Sequence, residues 1–157
     1  MPRKTISDSY MPGTIIDVRR IDGLEGTYIN LTVGAWVNQT IHSDGRLMAL
    51  SYTPPVDCWW ELDAVGYLTC GTAAYTYTQS DILLTPADAD GFSTMQEIMS
   101  GQYNGVVTYY SPKVHRLFKL TAGVAYTAQF RHFLQASSMT AYRGGTYTWM
   151  LAKAIVR

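Results

Sequence analysis

The chain has 157 residues, a length that fits one domain with a sizeable core. Twelve Lys and Arg balance twelve Asp and Glu, so there is no basic excess to hold a nucleic acid by bulk electrostatics. No run of about 18 apolar residues is present, which excludes a membrane-spanning helix. Residues 1–13 read as an extended arm, because Pro2 and Pro12 keep it out of helix and it has no apolar core of a secretory signal. Thr14–Arg19 reads as a first strand, and Arg20-Ile21-Asp22-Gly23 as a turn. Thr27–Val33 and Trp36–Ile41 follow, separated by Gly34.

Ser43-Asp44-Gly45 reads as another turn and Leu47–Tyr52 as a short strand ended by Pro54-Pro55. Cys58–Val65 alternates Trp59, Glu61 and Asp63 against Cys58, Trp60, Leu62 and Ala64. Tyr67–Thr78 is rich in Thr and Tyr, as strands are, and Asp81–Thr85 is one more apolar run. Ser93-x-x-Gln96 has capping-box spacing, which predicts a short helix over 94–100 stopped by Gly101. Val106–Tyr110 and Val114–Leu120 read as strands around Ser111-Pro112.

Two stretches organise the chain. In Leu117–Gln135, Thr121-Ala122-Gly123 joins two strands, and Tyr126, Ala128, Phe130, His132 and Leu134 share one face of the second. Ser137–Gly145 reads as a polar loop. In Thr146–Val156 the residues are apolar on both faces, so that strand needs cover on both: it is central in a sandwich or lies at a subunit contact. About ten short strands with Gly, Pro and Asp-Gly punctuation argue an all-β antiparallel sandwich or barrel. Eight main strands with extras fit a jelly roll. The expected domains are the arm, 1–13, and one sandwich, 14–157.

Chemistry-bearing patterns are sparse. His42, His115 and His132 lack zinc-ligand spacing and read as surface or packing residues. Asp88-Ala89-Asp90-Gly91 begins like a calcium loop, but Gly91 comes too early and the twelfth residue is Met99. A loop started by Pro86, with Asp90 capping the short helix, accounts for it. Glu61 and Asp63 share a strand face, and Glu97 or Asp81 could partner either in a glycosidase-type carboxylate pair. Nothing in the sequence fixes such a pair in space, and a solvated or salt-bridged face is the expectation. No GxSxG elbow, phosphate loop or GxGxxG occurs, so no catalytic, cofactor or metal residue is expected. Cys58 and Cys70 read as two free, buried thiols, with a disulfide as the alternative.

Aromatics carry more functional signal. Only 15% of residues are charged against about 25% in an average chain, and 13% are aromatic. That composition favours a surface partly covered by a partner. Trp59-Trp60 and Tyr109-Tyr110 each send one ring to either side of a strand, and such rings can stack on sugars or anchor interfaces.

Leu84–Gly91 (LTPADADG), Phe118–Phe130 and Tyr147–Val156 give the C-terminal half a texture that resembles small jelly-roll virion proteins of tailed bacteriophages. These are heads on tail fibres and tail tips, or capsid-decoration proteins. The resemblance implies a homotrimer in the virion, without catalysis, docked on capsid or tail proteins by its N-terminal arm. Arg3, Lys4 and Tyr10 would make that contact. Tyr126, Phe130, Tyr147 and Trp149 would form core and subunit contact. A receptor- or carbohydrate-binding head, using Trp59, Trp60, Tyr109 or Tyr110 on a host-surface glycan, is the alternative.

Overall fold

The computed structural model describes residues 11–30, 34–38, 47–70, 75–102, 108–134 and 139–157, some strand segments by their backbone alone. These residues form eleven strands: β1 (Ile15–Asn30), β2 (Trp36–Asn38), β3 (Ala49–Tyr52), β4 (Cys58–Val65), β5 (Leu68–Cys70) and β6 (Tyr75–Thr85), then β7 (Thr94–Gln102), β8 (Thr108–Tyr110), β9 (Lys113–Leu120), β10 (Tyr126–Leu134) and β11 (Met139–Val156). The result is a β-sandwich of two antiparallel sheets. Sheet A runs β8-β5-β11-β4-β9, with β1 on the other edge of β11; sheet B runs β2-β10-β6-β7, with β3 beside β2 on β10.

Several strands are collinear, which simplifies the path. β4 and β5 lie end to end opposite β9 and β8, in one register from Cys58↔Leu120 to Cys70↔Thr108. The Gly66 N–H donates to the Pro112 carbonyl at 2.9 Å where the strands pause. β2 and β3 share one edge of β10 in the same way. Counted as ribbons, the described strands make eight. The first pairs with the last (β1 with β11), the second with the seventh (β2 and β3 with β10), the third with the sixth, and the fourth with the fifth (β6 with β7). The described strands therefore pair in a nested order, and β11–β4 and β10–β6 pairing complete the two sheets.

Alternation decides what lies between the sheets. β4 contributes Trp60, Leu62 and Ala64, β9 contributes Val114, Phe118 and Leu120, and β11 contributes Met150, Ala152 and Ala154. From sheet B come Leu50, Tyr52, Ile82, Leu84, Tyr126, Ala128 and Phe130. Tyr52 and Trp60 meet across the layers with ring centroids 5.8 Å apart. Tyr126 keeps its polar tip satisfied, its hydroxyl accepting from the Thr121 N–H at 3.1 Å. Gly123, at φ 77°, supplies the left-handed turn between β9 and β10 that the sequence marks with Thr121-Ala122-Gly123.

Three expectations are corrected. Residues 94–100 belong to β7, not to a helix, and the described residues contain no helix. β7 pairs β6 continuously from Leu83↔Thr94 to Tyr75↔Gln102, and this ladder outweighs a helix too short to be stable alone. Asp22-Gly23 does not turn the chain: β1 runs through it, with register shifts against β11 on either side of Leu24. The stretch absorbs irregularity as bulges rather than as a hairpin. The loop expected to close at Gly144-Gly145 is also strand, since β11 starts at Met139. The arm residues 1–10, the turn at 43–45, His42 and residues 135–138 lie outside the described residues.

Candidate functional site

Pairing registers place four strands side by side on the outward face of sheet A, in the order β1, β11, β4, β9. Four cross-strand rows result: Asp22, Trp149, Val65 and Lys113; Arg20, Leu151, Asp63 and His115; Val18, Lys153, Glu61 and Leu117; Ile15, Ile155, Trp59 and Lys119. Half of these side chains are apolar. Ile15, Val18 and Leu117 are exposed at 55%, 59% and 41%. β11 thus has the two faces its sequence announces. Met150, Ala152, Ala154 and Val156 are buried inward, while Trp149, Leu151 and Ile155 stand half-buried on the outward face.

Most polar residues of this face are paired. Lys153 Nζ lies 2.6 Å from Glu61 Oε2, and His115 Nδ1 lies 2.7 Å from Asp63 Oδ1. The Arg20 guanidinium sits 5.0 Å above the Trp149 ring while its Nε donates to Asp22 at 2.7 Å. Lys119 Nζ lies 5.4 Å from the Trp59 ring and 2.5 Å from Asp90 Oδ2. A cleft of about 340 Å3 opens at one corner, lined by Asp63, Val65, Lys113, His115 and Trp149. Glu61, Asp63 and His115 each bring one donor atom within 4.8 Å of the others. Sequence spacing gave no sign of this convergence. His115 joins the two carboxylates only through the β4–β9 register, which places it directly opposite Asp63.

The other singled-out residues fall elsewhere. Tyr126 and Phe130 belong to the core, and Trp149 to the outward face. Trp59 and Trp60 do point to opposite faces: Trp59 is half-buried outside and Trp60 fully buried inside, where no ligand ring reaches it. Tyr109 and Tyr110 fall in β8 and Tyr147 in β11, with only their backbone described, and Arg3, Lys4 and Tyr10 lie outside the described residues. Cys58 is a free, buried thiol that burial pushes up to about 11. Cys70 stands at the far end of the same ladder, roughly 40 Å along an extended chain, which rules out a bond between them.

Asp81 is no partner for Glu61 or Asp63. It lies on sheet B, wholly buried, and accepts from Arg131 Nε at 2.9 Å and from its terminal amine at 2.5 Å. Burial pushes the Asp81 carboxyl up, against the downward pull of Arg131. The Trp36 ring covers that guanidinium at 4.7 Å. Asp88 is equally committed: its carboxylate accepts from the N–H groups of Asp90, Phe92 and Lys119 at 2.9–3.1 Å, tying the loop after β6 to β9. The loop started by Pro86 is present, without the helix that Asp90 was to cap.

No family model matches the sequence, and no curated protein matches it.

Proposed function

We propose that this protein is a non-enzymatic structural subunit of a bacteriophage virion, a trimeric capsid-decoration or minor tail component with a jelly-roll sandwich. The outward face of sheet A carries the reading. Exposed Ile15, Val18 and Leu117, with half-buried Trp149, Leu151 and Ile155, put an apolar side chain in every row of a face whose other half is polar or charged. Exposed apolar side chains rimmed by polar ones mark a protein contact, and a symmetric assembly buries them once per subunit. The nested pairing of the eight ribbons supports the jelly-roll path, because that roll pairs first with last and works inward. The arm carrying Arg3, Lys4 and Tyr10 docks the trimer on a capsid or tail protein.

Light scattering on the purified chain tests the assembly. The expected mass is three times 17.5 kDa, and a stable mass of 17.5 kDa would overturn the trimer. Deleting residues 1–12 should leave the trimer intact and abolish its addition to particles. A truncated protein that still joins them would remove the arm from the reading.

The cleft beside Trp149 favours a second reading, a carbohydrate-binding head. An aromatic wall next to Asp63, Lys113 and His115 combines a stacking surface with hydrogen-bonding groups. Glycan-array binding that disappears in Trp149→Ala would support it, and an array without signal would exclude it.

A further inference from the structure

We propose that Glu61, Asp63 and His115 form a binding site for a divalent ion of the zinc class. The site lies on the same outward face as the proposed subunit contact, but all its donors come from one chain, so it needs no second subunit. Glu61 and Asp63 are two apart on β4, and so share its outward side. His115 faces Asp63 across the β4–β9 ladder. β4 is hydrogen-bonded on both flanks, by β9 and by β11, so the backbone that carries the carboxylates is held rigidly. Rigid strand positions of this kind suit a ligand set better than a loop does.

The donors are of the right kind and almost at the right distance. They lie within 4.8 Å of one another. Zinc takes imidazole nitrogen and carboxylate oxygen at about 2.0–2.2 Å, which sets donors roughly 3.4 Å apart in a tetrahedral site. The closure required is about an ångström. His115 and Asp63 can supply it by rotating, because both side chains are more than a third exposed. One nitrogen and two oxygens also make a selective set. Imidazole favours zinc-like ions, whereas calcium and magnesium take oxygen ligands.

The surroundings fit an open site. Three protein ligands leave one position free, the pattern of zinc sites that take water or a small molecule. The cleft walled by Lys113 and Trp149 adjoins two of the donors, Asp63 and His115, and has room for such a molecule. Lys153 holds Glu61 at Oε2 from the opposite direction, as an outer partner that fixes the carboxylate's orientation. On binding, the ion takes the place that His115 Nδ1 and Asp63 Oδ1 now fill with their mutual hydrogen bond.

Titration of the chelator-treated full chain with Zn2+ by calorimetry, and with Co2+ by visible absorption, tests the site. The expected result is saturable one-to-one binding, with Co2+ bands of an ordered nitrogen–oxygen site. His115→Ala and Asp63→Asn should each weaken binding by roughly tenfold or more. Ser51→Ala, on β3 of the other sheet, removes no donor and should bind as the wild type does. Excess Ca2+ and Mg2+ should leave the Co2+ spectrum in place. Absence of saturable binding would overturn the proposal, as would affinity unchanged in both His115→Ala and Asp63→Asn. Circular dichroism checks that each variant folds, and Glu61→Gln replaces any that does not.

Discussion

Gly66, in the pause between β4 and β5, lies directly against His132 of the facing sheet. A Cβ built on Gly66 would stand 3.0 Å from His132 Cε1 and 3.1 Å from Phe130 Cε1. Both rings are fully buried and meet edge-on at 4.7 Å, so neither has space into which to move. Glycine is required here for close approach of the two layers. Gly66→Ala should therefore destabilise the fold by about 1–3 kcal/mol through overpacking. Urea unfolding would show this as a lower midpoint at unchanged slope, and an unshifted midpoint would mean that the layers are further apart than this contact implies.

The same histidine makes stability depend on pH. His132 Nδ1 lies 2.9 Å from Ser80 Oγ in the core. Burial depresses its pKa from 6.5 to about 3. The unfolded chain therefore binds a proton on this residue over a pH range where the folded chain does not. Stability falls as pH falls from 6.5 toward about 3, at up to about 1.4 kcal/mol per pH unit. His132→Gln keeps a hydrogen-bonding group near Ser80 and removes the titration, so its stability should vary less with pH across that window. Parallel curves for the two proteins would show that His132 is not held neutral.

Asp81 and Arg131 make the ion pair most sensitive to being halved. Asp81 is fully buried and Arg131 mostly so. Arg131→Ala leaves a buried carboxylate without its counter-charge and should destabilise by about 3–5 kcal/mol. Replacing both, as Asp81→Leu with Arg131→Met, should cost much less, because no charge is stranded. A denaturant-derived double-mutant cycle measures the difference. An Arg131→Ala loss no larger than that of the double variant would contradict the buried pair.

Where alternation was strong, the strands were legible. β4 and β10 follow from Cys58–Val65 and from Tyr126 to Leu134, because the inward positions through Phe130 are apolar and the outward ones polar or mixed, with His132 the polar exception inside. Thr94–Gln102 was misread because Met, Gln and Glu favour helices and Ser93-x-x-Gln96 has cap spacing. Pairing with β6 is a long-range fact that no local pattern carries. Asp22-Gly23 carries turn chemistry, yet the 18-residue partner strand β11 keeps the chain extended past it. The outward face shows the same limit. Glu61 and Asp63 could be placed on one side of one strand from sequence, but His115 and Lys153 reach them only through β4's two ladders. Arg131 and Asp81 sit about 50 residues apart in sequence and meet through β10–β6 register alone.

Trp149 separates folding from assembly. Its ring is half-buried on the outward face, with Arg20 5.0 Å above it, while its neighbour Met150 fills the core. A charge at position 149 therefore stays out of the sandwich interior. Trp149→Asp removes the cation–π contact, worth about 0.5–1 kcal/mol at a partly exposed site, and places a carboxylate next to Arg20. The monomer should fold with nearly the wild-type spectrum. A subunit contact built on this face would instead have to bury an added charge, which is costly without a partner. The expected outcome is a folded, soluble protein whose mass drops from the trimer to 17.5 kDa. A folded variant that keeps the wild-type mass would move the contact away from sheet A. An unfolded variant would mean that Trp149 supports the sandwich itself, and Leu151→Lys, one row along on the same face, would then carry the mass measurement.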